Sequence, residues 1–127
     1  MSHVVQIETK VRDAVAARCG CQRLGLPAPV EEEVKLFSDT VHGLAVRLSG
    51  WRYPAVFDLK TGEGRFDNYG GKWGRQERLD EFLQAYAVEK ATLEARRNGH
   101  SVTEQPLPDG SIKLTIGVGS DAAGGGP

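Results

Sequence analysis

The chain is poor in the residues that carry chemistry on their own. It has 2 cysteines and 3 histidines among 127 residues. Cys19 and Cys21 are separated by a single residue, which makes no disulfide framework. A structural zinc site wants four ligands, and His3, His42 and His100 are scattered without ligand spacing. An excess of one charge sign is also missing. The 16 basic and 17 acidic residues leave a formal net charge of -1, whereas non-specific nucleic-acid binding draws on a basic footprint. No stretch approaches the ~18 apolar residues of a membrane span. The first residues, Met1 to Gln6, lack the basic region and long apolar core of a signal peptide. A cytoplasmic protein without membrane contact is therefore expected, and no internal repeat is visible.

Catalytic constellations are lacking as well. Asp58 and Asp67 fall in or beside strands and could pair as carboxylates. No nucleophile, base and oxyanion group accompany them, and a solvated strand face plus an Asp-Asn turn accounts for both. Residues 70–74, Gly-Gly-Lys-Trp-Gly, precede a helix but do not fit G-x-x-x-x-G-K-[ST]. Their glycines suit backbone freedom in a tight turn. No catalytic residue, metal ligand or cofactor is assigned.

What is present is strong periodicity. Residues 75–98 read as one long helix, with Leu79, Phe82, Leu83, Tyr86 and Leu93 on one apolar stripe. Glu77, Asp80 and Glu81 at its start and Arg96 and Arg97 at its end suit the helix dipole, and Gly99 suits a left-handed cap. Lys90 sits inside the stripe, where its stem packs and its amine snorkels; a buried salt bridge to a strand acid is the alternative. Residues 100–105 and 111–118 read as strands joined by Pro106-Leu-Pro-Asp-Gly110, a turn sequence. Helix and hairpin are expected to bury each other.

Upstream, residues 3–10 alternate as a strand and Asp13 offers a helix cap. Ala14, Val15, Arg18, Cys21 and Leu24 carry a helical pattern to Gly25, with Gly20 inside at about 1 kcal/mol relative to Ala. In residues 30–37, Val30, Glu32, Val34 and Leu36 form a mostly apolar set, and Glu31, Glu33, Lys35 and Phe37 a mostly charged one. Residues 41–48, 52–59 and 65–69 complete the strands, with turns at Ser38-Asp39, Ser49-Gly50 and residues 60–64. The order is β-α-β-β-β-β-α-β-β. It predicts an α+β fold with a single antiparallel-dominated sheet and two helices packed on one face, the opposite face, with Gln6, Glu8, Glu31, Glu33, Lys113 and Thr115, being solvated. Residues 1–118 form one domain, and the glycine-rich residues 119–127 a disordered tail.

One cluster stands out. Trp51, Tyr53, Tyr69 and Trp73 flank the same strand pair, with Arg52, Lys72 and Arg75 interleaved. Such a rim suits a protein hot spot or stacking on a base. The other use of these aromatics is to cap the open end of the core and pair across strands. The expected function is a non-catalytic protein-interaction or accessory module with a protein partner. The alternative is a single-stranded nucleic-acid binder using the same seven residues.

Three segments together carry a resemblance. They are Met1-Ser-His3 running into the first strand, Gly50-Trp-Arg-Tyr-Pro54 with residues 67–74, and Phe82 to Lys90 continuing to residues 109–116. In this combination, over about residues 1–118, the chain resembles a family of small uncharacterised bacterial and plastid-encoded proteins, a domain of unknown function. The resemblance implies one complete domain. It brings no activity and no catalytic residues, and Cys19-Gly-Cys21 is not part of its pattern.

Overall fold

The computed structural model describes residues 5–7, 10–37 and 39–117. The expected tail at 119–127 and the turn residue Ser38 lie outside the described residues. In chain order the elements are β1 (Val5–Ile7), α1 (Ala14–Arg23), β2 (Val30–Lys35), β3 (Thr40–Val46), β4 (Ala55–Phe57) and β5 (Gly64–Phe66). A 3₁₀ turn (Tyr69–Gly71), α2 (Gln76–Arg97), β6 (Ser101–Pro106) and β7 (Ile112–Gly117) follow. This is the α+β order read from the periodicity. Among the described residues, no helix is long and apolar enough to cross a membrane.

The strands form two sheets, not the single one expected. Five of them pair antiparallel in the order β1-β5-β4-β3-β2, and β6 pairs only with β7. The chain leaves α2 through Gly99 at φ 79° and turns back along the helix, where the Gln84 side-chain amide donates to the Gly110 carbonyl of the hairpin turn at 3.1 Å; the hairpin lies beside α2 and pairs with itself.

Both helices lie on one face of the larger sheet. The main core gathers Ala16, Ala17 and Cys21 of α1, Leu79, Phe82 and Tyr86 of α2, and Leu44, Val46, Ala55, Phe57 and Phe66 of the strands. The buried side of α1 is rotated from the expected stripe: Val15 is 46% exposed, and Ala16, Ala17, Gly20 and Cys21 are buried. Small residues win because the helices approach closely. A methyl group added at Gly20 would stand 3.2 Å from the Tyr86 backbone nitrogen. Burial pushes the Cys21 thiol up to about 11, which leaves it inert. Cys19, two residues away, is half-buried and free.

The opposite face is not simply solvated. The register pairs Val34 with Val41 and Ala45 with Val56, and these residues with Leu36 form a second apolar cluster against which Tyr53 packs. Glu31 faces Leu44 across the ladder. Glu31 and Glu33 thus fall on the helix side, at an edge that the helices do not cover, whereas Glu32 lies with Val34 on the other face and pairs with Arg47 at 2.8 Å.

The linker before α1 is tied to α2. The Tyr86 hydroxyl accepts hydrogen bonds from the Arg12 and Asp13 backbone N–H groups at 3.2 and 3.1 Å. Asp13 Oδ1 in turn accepts from Val15 and Ala16, at 3.0 and 3.1 Å. Tyr86→Phe leaves two part-buried donors unpaired. It is expected to lower unfolding stability by about 1–2 kcal/mol, read by urea denaturation; an unchanged midpoint would contradict this role.

Helix and hairpin bury each other only in part. Val102, Ile112 and Leu114 are half-buried, and Ile116 is 42% exposed. Ion pairs supply the remaining attachment. Arg23 donates to both carboxylate oxygens of Glu104 on β6, at 3.0 and 2.7 Å. The same guanidinium donates to Glu89 of α2 at 3.0 Å. Its hydrogen bonds hold the Glu104 carboxyl below the usual carboxylate range. A carboxyl whose pKa is lower folded than unfolded stabilises the fold fully above its unfolded pKa, and less as pH falls through the folded value. Amide-exchange protection in β6 and β7 is therefore expected to weaken below about pH 4. Glu104→Gln should flatten that dependence, and an unaltered pH profile in the variant would refute the assignment.

Candidate functional site

The chain from Phe66 to Gly74 connects β5 to α2 and is closed by its own backbone. Gly71 and Trp73 donate N–H to the Asn68 carbonyl at 3.0 and 2.9 Å, and Lys72 donates to that of Tyr69 at 3.1 Å. The Asn68 side-chain amide donates to the Gly74 carbonyl at 3.0 Å. Asp67 is fully buried; its Oδ1 accepts from the Tyr69 N–H at 3.3 Å, and its Oδ2 has no partner. Three successive residues take left-handed backbone, Tyr69 at φ 51°, Gly70 at 63° and Gly71 at 99°. For tyrosine this costs roughly 1–2 kcal/mol, and two glycines after it continue the turn freely. The N–H groups of Tyr69, Gly71, Lys72 and Trp73 are thus held by oxygens of the loop itself.

The seven expected residues divide into two groups. Trp51 belongs to the core. Its ring lies 5.3 Å from Phe66, and its Nε1 donates to the Arg75 carbonyl at 2.9 Å. Gly74 abuts it so closely that an added methyl would come within 2.5 Å of the indole. Arg75 is the residue before α2 and makes no side-chain cap; its guanidinium reaches Glu77 at 3.6 Å. Trp51 and Arg75 thus fasten the loop to the domain and stand apart from the aromatic surface.

The other five converge. The Arg52 N–H donates to the Trp73 carbonyl at 2.8 Å, which joins the segment before β4 to the loop before α2. Trp73 is the hub. Tyr69 lies 4.7 Å from it at 30°, Tyr53 5.7 Å from it edge-on, and Phe37 5.2 Å from it. The Arg52 guanidinium sits over Trp73 at 4.8 Å and over Tyr53 at 5.6 Å, and the Lys72 amine over Tyr69 at 5.0 Å. Such cation–π contacts contribute about 0.5–1 kcal/mol when exposed. Since Tyr53 packs on the second apolar cluster, the group also roofs the helix-free face of the sheet.

Phe37 is the member that the sequence reading missed. It is 56% exposed and just follows β2. Its signal was present: it is the lone apolar residue in the charged set Glu31, Glu33, Lys35 and Phe37. Position alone did not say that a loop some thirty residues downstream would meet it.

The remaining candidates have local roles. Asp58 Oδ1 accepts from the Lys60 N–H at 2.9 Å, and Asp67 belongs to the loop. Lys90 is half-buried and pairs with Glu94, one turn on, at 2.9 Å; no strand acid is involved. Among the described residues no His, Cys, Asp and Glu cluster has metal-holding geometry. Surface grooves of about 250 and 360 Å³ lie elsewhere, between Thr40, Asp58 and Arg65 and between Glu77, Gln84 and Ser111. The aromatic group lines neither of them. Comparisons with models of protein families, with curated proteins and with solved structures gave no match.

Proposed function

We propose that the protein is a non-catalytic interaction module whose contact surface is centred on Trp73, with Phe37, Tyr53 and Tyr69 around it and Arg52 and Lys72 at its rim. The observation that carries this reading is the convergence of four aromatic rings and two cations on one patch, with Phe37 more than half exposed. Aromatic and arginine residues dominate protein hot spots. The loop delivering Trp73 is closed by its own hydrogen bonds, which lowers the entropy lost on binding. The two free thiols of α1 suit a reducing cytoplasm as the place of action.

The nucleic-acid alternative has less support. The patch carries two cations on a chain of formal net charge -1, a small footprint for a phosphate backbone.

Affinity capture with the full chain, against Trp73→Ala, tests the reading. A specific partner should be recovered with the wild type and be at least tenfold depleted with the variant. Circular dichroism checks that the variant is folded. An unchanged partner list with a folded Trp73→Ala would overturn the proposal.

A further inference from the structure

We infer that the partner presents a short acidic segment, with carboxylates beside an apolar or aromatic anchor. This rests on the interaction reading above and names the chemistry of its other side. Among the described residues Arg23, Arg47, Arg78 and Lys90 each have a carboxylate within 2.9 Å. Arg52 and Lys72 appear in no such pair; exposed Arg18, Arg97 and Lys113 share that state, and what sets Arg52 and Lys72 apart is their place on the aromatic cluster. Both are exposed, and their charges rest on aromatic faces of the same cluster, 4.8 Å from Trp73 and 5.0 Å from Tyr69. A ring orders the cation without neutralising it, so the hydrogen-bonding edge of each group stays available to an anion. Their backbones are fixed as well, with the Arg52 N–H on the Trp73 carbonyl and the Lys72 N–H on that of Tyr69. The patch therefore offers two placed positive charges around an apolar centre of Phe37 and Trp73. Charge-assisted hydrogen bonds from such groups to carboxylates are about twice as strong as neutral ones.

The surroundings select a short acidic segment over a polyanion. β2 leads through Lys35 to Phe37 and carries Glu31 and Glu33 at the parity of Phe37, while Glu32 lies on the other face and pairs with Arg47. A phosphate backbone extending past the patch would meet this acidic edge, whereas a peptide with two or three carboxylates beside one anchor touches only the cations. The formal net charge of -1 adds no long-range attraction for nucleic acid.

Selection of displayed random peptides against the full chain tests the inference, with synthetic copies of the enriched peptides titrated by fluorescence anisotropy. Enriched peptides should carry Asp or Glu next to an aromatic or aliphatic residue. Their affinity should fall at least tenfold in the Arg52→Gln, Lys72→Gln double variant, in amide-for-carboxylate peptides, and on raising the salt. Both substituted residues are exposed, so the variant keeps the fold. Selection without carboxylate enrichment, or equal binding to the double variant, overturns the inference. So does an oligo-dT strand that binds the same patch more tightly than the peptides. If Trp73→Ala abolishes peptide binding and the double variant does not, the interaction surface stands and the acidic partner falls. If neither changes binding, both readings fall.

Discussion

Phe82→Ala is expected to remove about 3–5 kcal/mol of unfolding stability, a large share of the roughly 5–15 kcal/mol that holds a domain together. Phe82 is 0% exposed and sits where α2 crosses the sheet. Its ring lies 5.8 Å from Phe57 and 6.4 Å from Tyr86, so it joins the central strands to the helix that receives the N-terminal linker. Truncation removes the buried ring and leaves a cavity between rigid elements that cannot close on it. Guanidinium denaturation should show a lower midpoint with an unchanged slope. Leu83, one residue on and half-buried, should lose far less on the same truncation. Equal losses at the two positions would mean that α2 is rotated about its axis.

Gly43→Ala should come next, at about 3 kcal/mol, the upper end of ordinary overpacking. A methyl at Gly43 would stand 2.4 Å from the Phe57 carbonyl oxygen and 2.8 Å from its carbon. These are backbone atoms of the neighbouring strand, so no rotamer change relieves the overlap. β3 and β4 would have to part where Leu44 pairs with Phe57, and both of those side chains are core residues. Gly20→Ala makes a useful contrast. There the nearest atom is 3.2 Å away, a shift of a few tenths of an ångström suffices, and alanine favours the helix by about 1 kcal/mol. A thermal melt in which Gly43→Ala matches wild type would show that β3 and β4 are not packed as described.

Elements with a strong local cause were legible from the chain alone. α2 was placed within one residue at each end, at Gln76–Arg97 against 75–98, because stripe, acidic start, basic end and following glycine all agree. Asp13 was read as the cap of α1 and its side chain does accept the cap bonds. Strands were found but drawn long. Residues 52–59 reduce to Ala55–Phe57, because alternation continues past the point where a partner strand exists.

The misreadings share a cause. The buried side of α1 was misplaced because apolarity ranks Val15 above Ala16 and Gly20, whereas a close helix crossing selects by size. The helix-free face was taken as solvated because β2 alone cannot say which side of the sheet its apolar set joins. In the candidate site five of seven residues converge as read, Trp51 and Arg75 serve the core and the loop, and Phe37 was overlooked.

What the sequence determined by itself was the element order, the Asp13 cap and the long helix, because each depends on neighbours a few positions apart. The tertiary structure decided what depends on distance across the chain. It split the strands into two sheets, because the chain after Gly99 turns back along α2 and pairs with itself there. It sent Trp51 inward, because Gly74 leaves room for the indole. It brought Phe37 to Trp73 and placed Arg52 and Lys72 on the rings, without a carboxylate partner among the described residues, because the loop before α2 closes on itself beside the second apolar cluster.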